Sequence, residues 1–294
     1  MFRNQYDNDV TVWSPQGRLH QIEYAMEAVK QGSAVVGMKN ATHAVVAAVK
    51  RTPSELASYQ KKIFAIDEHC GVGIAGLTAD ARNINNFLQT ECLNHRYAFS
   101  RPMPLNRLVG TLGNKMQVTT QQESGRPYGV GLLMIGFDHK GPHLIQIDPS
   151  ANHYECKGMS IGARSQSART YLEKHLDEYL GAQSVEDLVR HALRALRDTL
   201  ANDQELSSKL ISVAVVGKDH PFQVYDDEVV QELISVVVKE PRAAVRPAQS
   251  GFALDADLME DDDTNRPPPP EPGVSVATAV DQHGRTEAGY SPSG

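Results

Sequence analysis

Three thiols, eleven imidazoles and a scatter of lysines are the groups from which this chain could build chemistry. Cys70, Cys92 and Cys156 are too few and too scattered for a disulfide framework or a C-x-x-C metal site, and they read as buried, inert thiols of a reducing compartment. The histidines include no H-E-x-x-H or comparable ligand spacing. Pairs such as His139 and His143 read as loop and strand residues, so neither a metal nor another cofactor is expected. Lys61 and Lys62 stand just before an apolar run, where a pair of lysines is ordinarily solvated.

Charge narrows the function classes further. The chain has 294 residues and a formal net charge of -7, which leaves no cationic field for a phosphate backbone and argues against nucleic acid as a partner. Nine acidic and four basic residues follow Glu240, leaving 27 and 25 before it, so the folded part is nearly neutral. The polar N-terminus lacks the apolar core of a signal peptide, and no stretch approaches the length that spans a bilayer. The expectation is a soluble, intracellular protein with no membrane partner.

The elements that must position any site follow from periodicity. Leu19, Ile22, Met26 and Val29 recur at helical spacing, and Gly32 stands where a C-terminal cap is favoured. Apolar runs at 34–38 and 44–49 are joined closely enough to form an antiparallel hairpin, with further short strands at 63–66 and 71–75. Thr78 is expected to cap a helix striped with Ala81, Ile84, Phe87, Leu88 and Cys92, and a second helix follows Pro104. Strands are expected at 129–137, 143–147 and 155–161. Two more helices follow, the second capped by Ser184, and strands at 210–216 and 222–225 close the domain. Several strands are apolar on both faces, so both must be covered. The fold class that satisfies this is α+β, a four-layer αββα sandwich of two antiparallel sheets. The domain is expected to span 1–240. Beyond it, 241–294 turns to Pro, Ala, Asp and Glu and is expected to be a disordered acidic tail, with Phe252, Leu254 and Leu258 interleaved among the carboxylates.

The order Tyr6-Asp7-Asn8 followed by Trp13-Ser14-Pro15-Gln16-Gly17-Arg18-Leu19-His20-Gln21-Ile22-Glu23-Tyr24-Ala25 resembles the N-terminal signature of proteasome core-particle alpha subunits. Gly76-Leu77-Thr78-Ala79-Asp80-Ala81-Arg82, Arg126-Pro127-Tyr128-Gly129-Val130-Gly131 and the run from Gly162 to Leu172 extend the likeness. The resemblance implies the fold of the N-terminal nucleophile hydrolases and a non-catalytic place in a heteroheptameric ring. There the chain would scaffold assembly, gate substrate entry and dock activators in ubiquitin-dependent protein degradation, in cytoplasm and nucleus. Its implied partners are neighbouring alpha subunits, the beta-ring subunits and the C-terminal tails of regulatory-particle or other activators.

The competing reading is an active N-terminal nucleophile hydrolase. Relatives that cleave peptides use a threonine freed at the mature N-terminus, whose amine activates its own hydroxyl. Here Ser33 or Ala34 takes that place behind an uncut helix, and Lys50 stands where a supporting carboxylate is expected. No peptidase activity of its own is expected.

By the same resemblance, 1–13 is a gate segment and 14–32 the turn and helix behind it. Tyr6, Asp7, Pro15 and Tyr24 match a cluster that stabilises the open gate, and Asn8 replaces the usual arginine, removing a charge and an ion pair. Lys62 matches the cation that receives an activator's terminal carboxylate, with Gly17 and Gly32 allowing backbone approach and Leu77 forming an apolar wall. The first helix either packs beneath a neighbouring subunit or rests only on its own domain.

Overall fold

Which way alternate side chains point along each strand decides how the layers of this molecule stack. The computed structural model describes residues 5–51, 56–123, 125–200, 206–225 and 227–238. The acidic tail expected from 241 onward and residues 1–4 of the expected gate segment lie outside them.

Helix α1 (His20–Gln31) leads into the hairpin β1 (Val35–Lys39) and β2 (His43–Val49), then β3 (Ile63–Asp67) and β4 (Cys70–Gly76). Helices α2 (Thr78–Phe99) and α3 (Leu105–Thr119) follow, then β5 (Val130–Asp138), β6 (Gly141–Ile147), β7 (His153–Glu155) and β8 (Gly158–Ile161). The remainder is α4 (Ser165–Lys174), α5 (Leu176–Leu180), α6 (Val185–Arg197), a 3-10 turn at Ser208–Leu210, β9 (Ile211–Gly217), β10 (His220–Val224) and α7 (Asp227–Val238). One sheet runs β10-β9-β2-β1-β8 and the other β3-β4-β5-β6-β7. Every paired strand is antiparallel.

Register places alternate residues in different layers. Val35, Ala44, Val46 and Ala48 meet Leu133, Ile135 and Leu144 between the sheets. Val36, Met38, Val45 and Ala47 point the other way, onto Leu188, Ala192 and Leu196 of α6. On the far side Val72, Ile74, Leu132 and Met134 pack against Ile84 and Leu88 of α2 and Leu108, Leu112 and Met116 of α3. The result is the expected αββα sandwich.

Several local expectations needed correction. Thr78 is the first helical residue of α2, and the capping position falls on Leu77 with no side-chain cap. The stretch read as one strand over 155–161 is two, because the chain leaves one sheet after Glu155 and joins the other at Gly158. The first helix of the second pair breaks at His175, whose backbone leaves the helical region. Helix α7 follows the strands that were expected to close the domain, with Val230, Leu233, Ile234 and Val237 buried at helical spacing. Ser184 does cap α6, its Oγ accepting the Asp187 N–H at 3.1 Å. Ser184→Ala is expected to cost about 1 kcal/mol, read as a shift of the urea midpoint.

Candidate functional site

Helix α1 sits across one end of the sandwich. It buries Ala25 and Val29, and Val29 joins the layer between the sheets, so the helix rests on its own domain. Its last residues meet the end of β4 so closely that a Cβ on Gly32 would lie 2.3 Å from the backbone nitrogen of Gly76. Gly76 holds a left-handed φ of +116°, and a Cβ there would lie 2.3 Å from the Gly129 carbonyl oxygen. Glycine at Gly32 therefore serves the protein's own backbone contact.

Around this knot the chain closes a ring of contacts. The Arg51 guanidinium donates to the Gln31 carbonyl at 3.2 Å, the Gln60 N–H donates to the Arg51 carbonyl at 2.9 Å, and the Gln60 amide donates to the Thr78 hydroxyl. The Leu77 N–H donates to Gly129 at 2.9 Å while its side chain stays half exposed, an apolar surface beside the ring. Gly129 is held in turn by Asp80, which accepts its N–H at 2.9 Å and both Arg126 guanidinium nitrogens at 2.6 and 2.8 Å. The Arg126 charge keeps the Asp80 carboxyl below its ordinary range.

Lys62 approaches β3 from the same ring. It is 3% exposed, not solvated as a surface lysine pair would be, and its carbonyl accepts the Ile74 N–H at 3.0 Å. Among the described residues its ammonium has no hydrogen-bond or ion-pair partner. Burial first, and the nearby Arg51 charge second, bring its pKa down to about 8. A buried cation without an anion is electrostatically incomplete, and a carboxylate is the group that completes it.

Gly17 stands in the turn of 14–18, with φ +73° and nothing within 4 Å of where a Cβ would go. The turn is held by the Gly17 N–H to the Ser14 carbonyl and the Ser14 N–H to the Arg18 carbonyl, both 2.9 Å, and Pro15 lies exposed within it. Beside it, Tyr24 Oη donates to Asp7 Oδ2 at 3.2 Å and the Gln21 amide donates to the Asp7 carbonyl. Helix α1 thereby tethers the start of the described chain. Of the four residues expected in the gate cluster, Asp7 and Tyr24 meet. Tyr6 is partly exposed, as is Trp13 at 63%.

At the position where a nucleophile would stand, Ser33 is buried and donates its hydroxyl to the Val49 carbonyl at 2.7 Å. The Gly32 carbonyl ahead of it accepts the Ala163 N–H at 2.7 Å, so this peptide bond is built into the fold. Residues that sequence reasoning overlooked here are Arg51, Gln60 and the Asp80–Arg126 pair. The only available signal was that Asp80 and Arg126 lie in motifs already singled out.

A family model described as "Proteasome subunit" matches residues 29–216, and a second, describing the N-terminal signature of A-type proteasome subunits, matches 6–28. The chain is 54% identical over 231 residues to the alpha type-1 proteasome subunit of Drosophila melanogaster, covering 78% of this chain and 82% of that one. It is 51% identical over 260 residues to the protein of the same name in Caenorhabditis elegans, covering 88% and 100%. It is also 48% identical over 273 residues to a probable alpha type-6 proteasome subunit of Schizosaccharomyces pombe, covering 89% and 100%.

Proposed function

The chain belongs to the proteasome subunit family on its alpha side, and from that premise we propose that it gates substrate entry and receives activator tails at the corner around Lys62. It is a non-catalytic alpha-ring subunit of the proteasome core particle, associated with other subunits of that particle. Ser33 agrees with this, since its hydroxyl is committed to the Val49 carbonyl at 2.7 Å.

The observation that carries the docking proposal is the buried ammonium of Lys62, which has no hydrogen-bond or ion-pair partner among the described residues, with Leu77 half exposed just ahead of α2. A tail ending in a carboxylate behind an apolar side chain supplies both complements. Gly17, in the exposed turn, leaves room for the backbone of such a tail, whereas Gly32 contributes by seating α1. Tails of regulatory-particle or other activators are the proposed ligands, neighbouring alpha subunits and the beta ring the proposed contacts, and cytoplasm and nucleus the proposed locations. The exposed Trp13 suits a neighbour's surface.

Gating rests on the tether between Asp7 and Tyr24, one hydrogen bond that two states of the N-terminal segment can make or lose. Tyr24→Phe, in assembled particles, is expected to lower activator-stimulated peptide hydrolysis severalfold while leaving the activator-free rate unchanged. Equal stimulation in both particles would remove Asp7, Tyr24 and their companions Tyr6 and Pro15 from the gating mechanism.

A further inference from the structure

The chain leaves β7 after Glu155, passes Cys156 and Lys157 and joins the other sheet at Gly158, and α4 and α5 close over this passage to leave a cavity of about 330 Å³. Cys156, Met159, Arg169, Leu172, Leu176 and Tyr179 line it. Gly158 is where these parts meet, because a Cβ there would lie 2.6 Å from Tyr179 Oη and 3.5 Å from Leu172 Cδ2. Arg169 stands one turn ahead of Leu172 on the same face of α4, which brings its side chain to the same place.

Two donors of this cavity lack an acceptor. Tyr179 is 1% exposed, and its hydroxyl has no hydrogen-bond partner among the described residues. Arg169 gives one guanidinium nitrogen to the Ser165 hydroxyl at 3.0 Å, while its Nε–H is buried without an acceptor and its charge has no ion pair among the described residues. Buried donors left unmade cost free energy that an incoming acceptor recovers. Burial first, and the Cys156 thiol second, push Tyr179 up to about 12, so the phenol keeps the proton it would donate. Burial likewise raises Cys156, which stays an uncharged thiol and does not repel an anion. Met159, Leu172 and Leu176 make the rest of the wall apolar.

We propose that this cavity binds a medium-chain aliphatic carboxylate, with one carboxylate oxygen on Tyr179 Oη, the other on Arg169 Nε, and the chain along Leu172, Leu176 and Met159. A carboxylate brings two acceptor oxygens to two donors and a charge to the guanidinium, and a short hydrocarbon chain fills a volume of this size while burying the apolar wall. Sulfate or phosphate would answer the donors and leave that wall wet. Glu173 and Lys157 stand exposed at the rim, neither with an ion pair among the described residues, so Glu173 is the internal rival for Arg169. The site shares no residue with the corner around Lys62, and it stands or falls separately from tail docking.

Cys156 is the reporter for the test, because it is partly exposed whereas Cys70 and Cys92 are buried. Assembled core particles are alkylated with iodoacetamide at mildly alkaline pH, with and without octanoate, and labelling of the Cys156 peptide is followed by mass spectrometry. Octanoate is expected to slow labelling about fivefold or more, with half-protection on the order of 100 μM. Octanol, which lacks the carboxylate, and acetate, which lacks the chain, are expected to protect little. Tyr179→Phe removes only the hydroxyl and is expected to raise the half-protecting concentration roughly tenfold. Arg169→Gln is expected to do the same, and Tyr179→Phe serves alone if that variant fails to fold. Glu173→Gln, which removes the rival carboxylate, is expected to lower it. Labelling that octanoate does not slow would overturn the proposal. So would a Cys156 that resists labelling without ligand, since a neighbouring subunit then covers the cavity. Equal protection by octanol, or undiminished protection in Tyr179→Phe, would overturn it too, and equal protection by N-acetylleucine would give the site to a peptide end instead.

Discussion

Lys62→Met is expected to make the isolated chain more stable by on the order of 3 kcal/mol and, in the assembled particle, to abolish tail docking at this subunit's pocket. The two effects have one cause. Lys62 is 3% exposed, its ammonium has no anion among the described residues, and burial moves its pKa from 10.5 to about 8. Holding that charge in the fold costs free energy that methionine, of similar length and no charge, does not incur. The sign with pH follows. Between about 8 and 10.5 the unfolded chain still binds the lysine proton while the folded chain has released it, so stability rises with pH across that window. It is lost again as pH falls through 8. The methionine variant lacks this rise, which chemical denaturation at pH 7 and pH 10 reads directly.

Docking runs the opposite way. A terminal carboxylate needs the charged lysine, so affinity for a tail peptide is expected to fall as pH passes about 8, well before a solvated lysine would titrate. A variant that is less stable than the parent, or tail binding that holds undiminished to pH 10, would show that Lys62 already has its anion inside the fold.

Lys62 also marks how far the sequence could be read. The hairpin of β1 and β2 was legible because both runs are apolar and the connection between them is short, and the register pairing Val35 with Ala48 puts each apolar set on a covered face. The two helix pairs were legible from their stripes. What stayed hidden was set by tertiary placement. Nothing local distinguishes Lys62 from Lys61, yet one of them turns into the fold. The crossing after Glu155 has no signal beyond strand propensity on either side, which pairs equally well with either sheet. Helix α7 was missed because its valines favour strands, although Val230, Leu233, Ile234 and Val237 keep helical spacing. In the gate cluster, the motif named Tyr6, Asp7, Pro15 and Tyr24 for contacts between subunits, and the bond of Tyr24 to Asp7 within the chain was not legible in it. Arg51 and Arg164 share a cavity only because α4 begins near the place where β2 ends, and no short window of sequence contains both.

The second large effect is expected at Gly76. An alanine there meets two obstacles at once, a φ of +116° that side chains rarely adopt and a Cβ 2.3 Å from the Gly129 carbonyl oxygen. Neither obstacle is a flexible side chain that can move aside. Gly76→Ala is therefore expected to cost about 3–5 kcal/mol, enough to consume a large part of the stability of a domain this size. Gly129 is pinned by Asp80 and Gly76 abuts Gly32, so the strain is delivered to the seat of α1. Hydrogen exchange in α1 should accordingly rise before exchange in β1 and β2 does. Gly17 supplies the contrast, because its φ of +73° is also left-handed but open space surrounds it. Gly17→Ala should cost only about 1 kcal/mol, the backbone term without the collision. Equal losses at the two positions would mean that conformation alone is being measured, and that the contact between Gly32, Gly76 and Gly129 does not hold α1 in place.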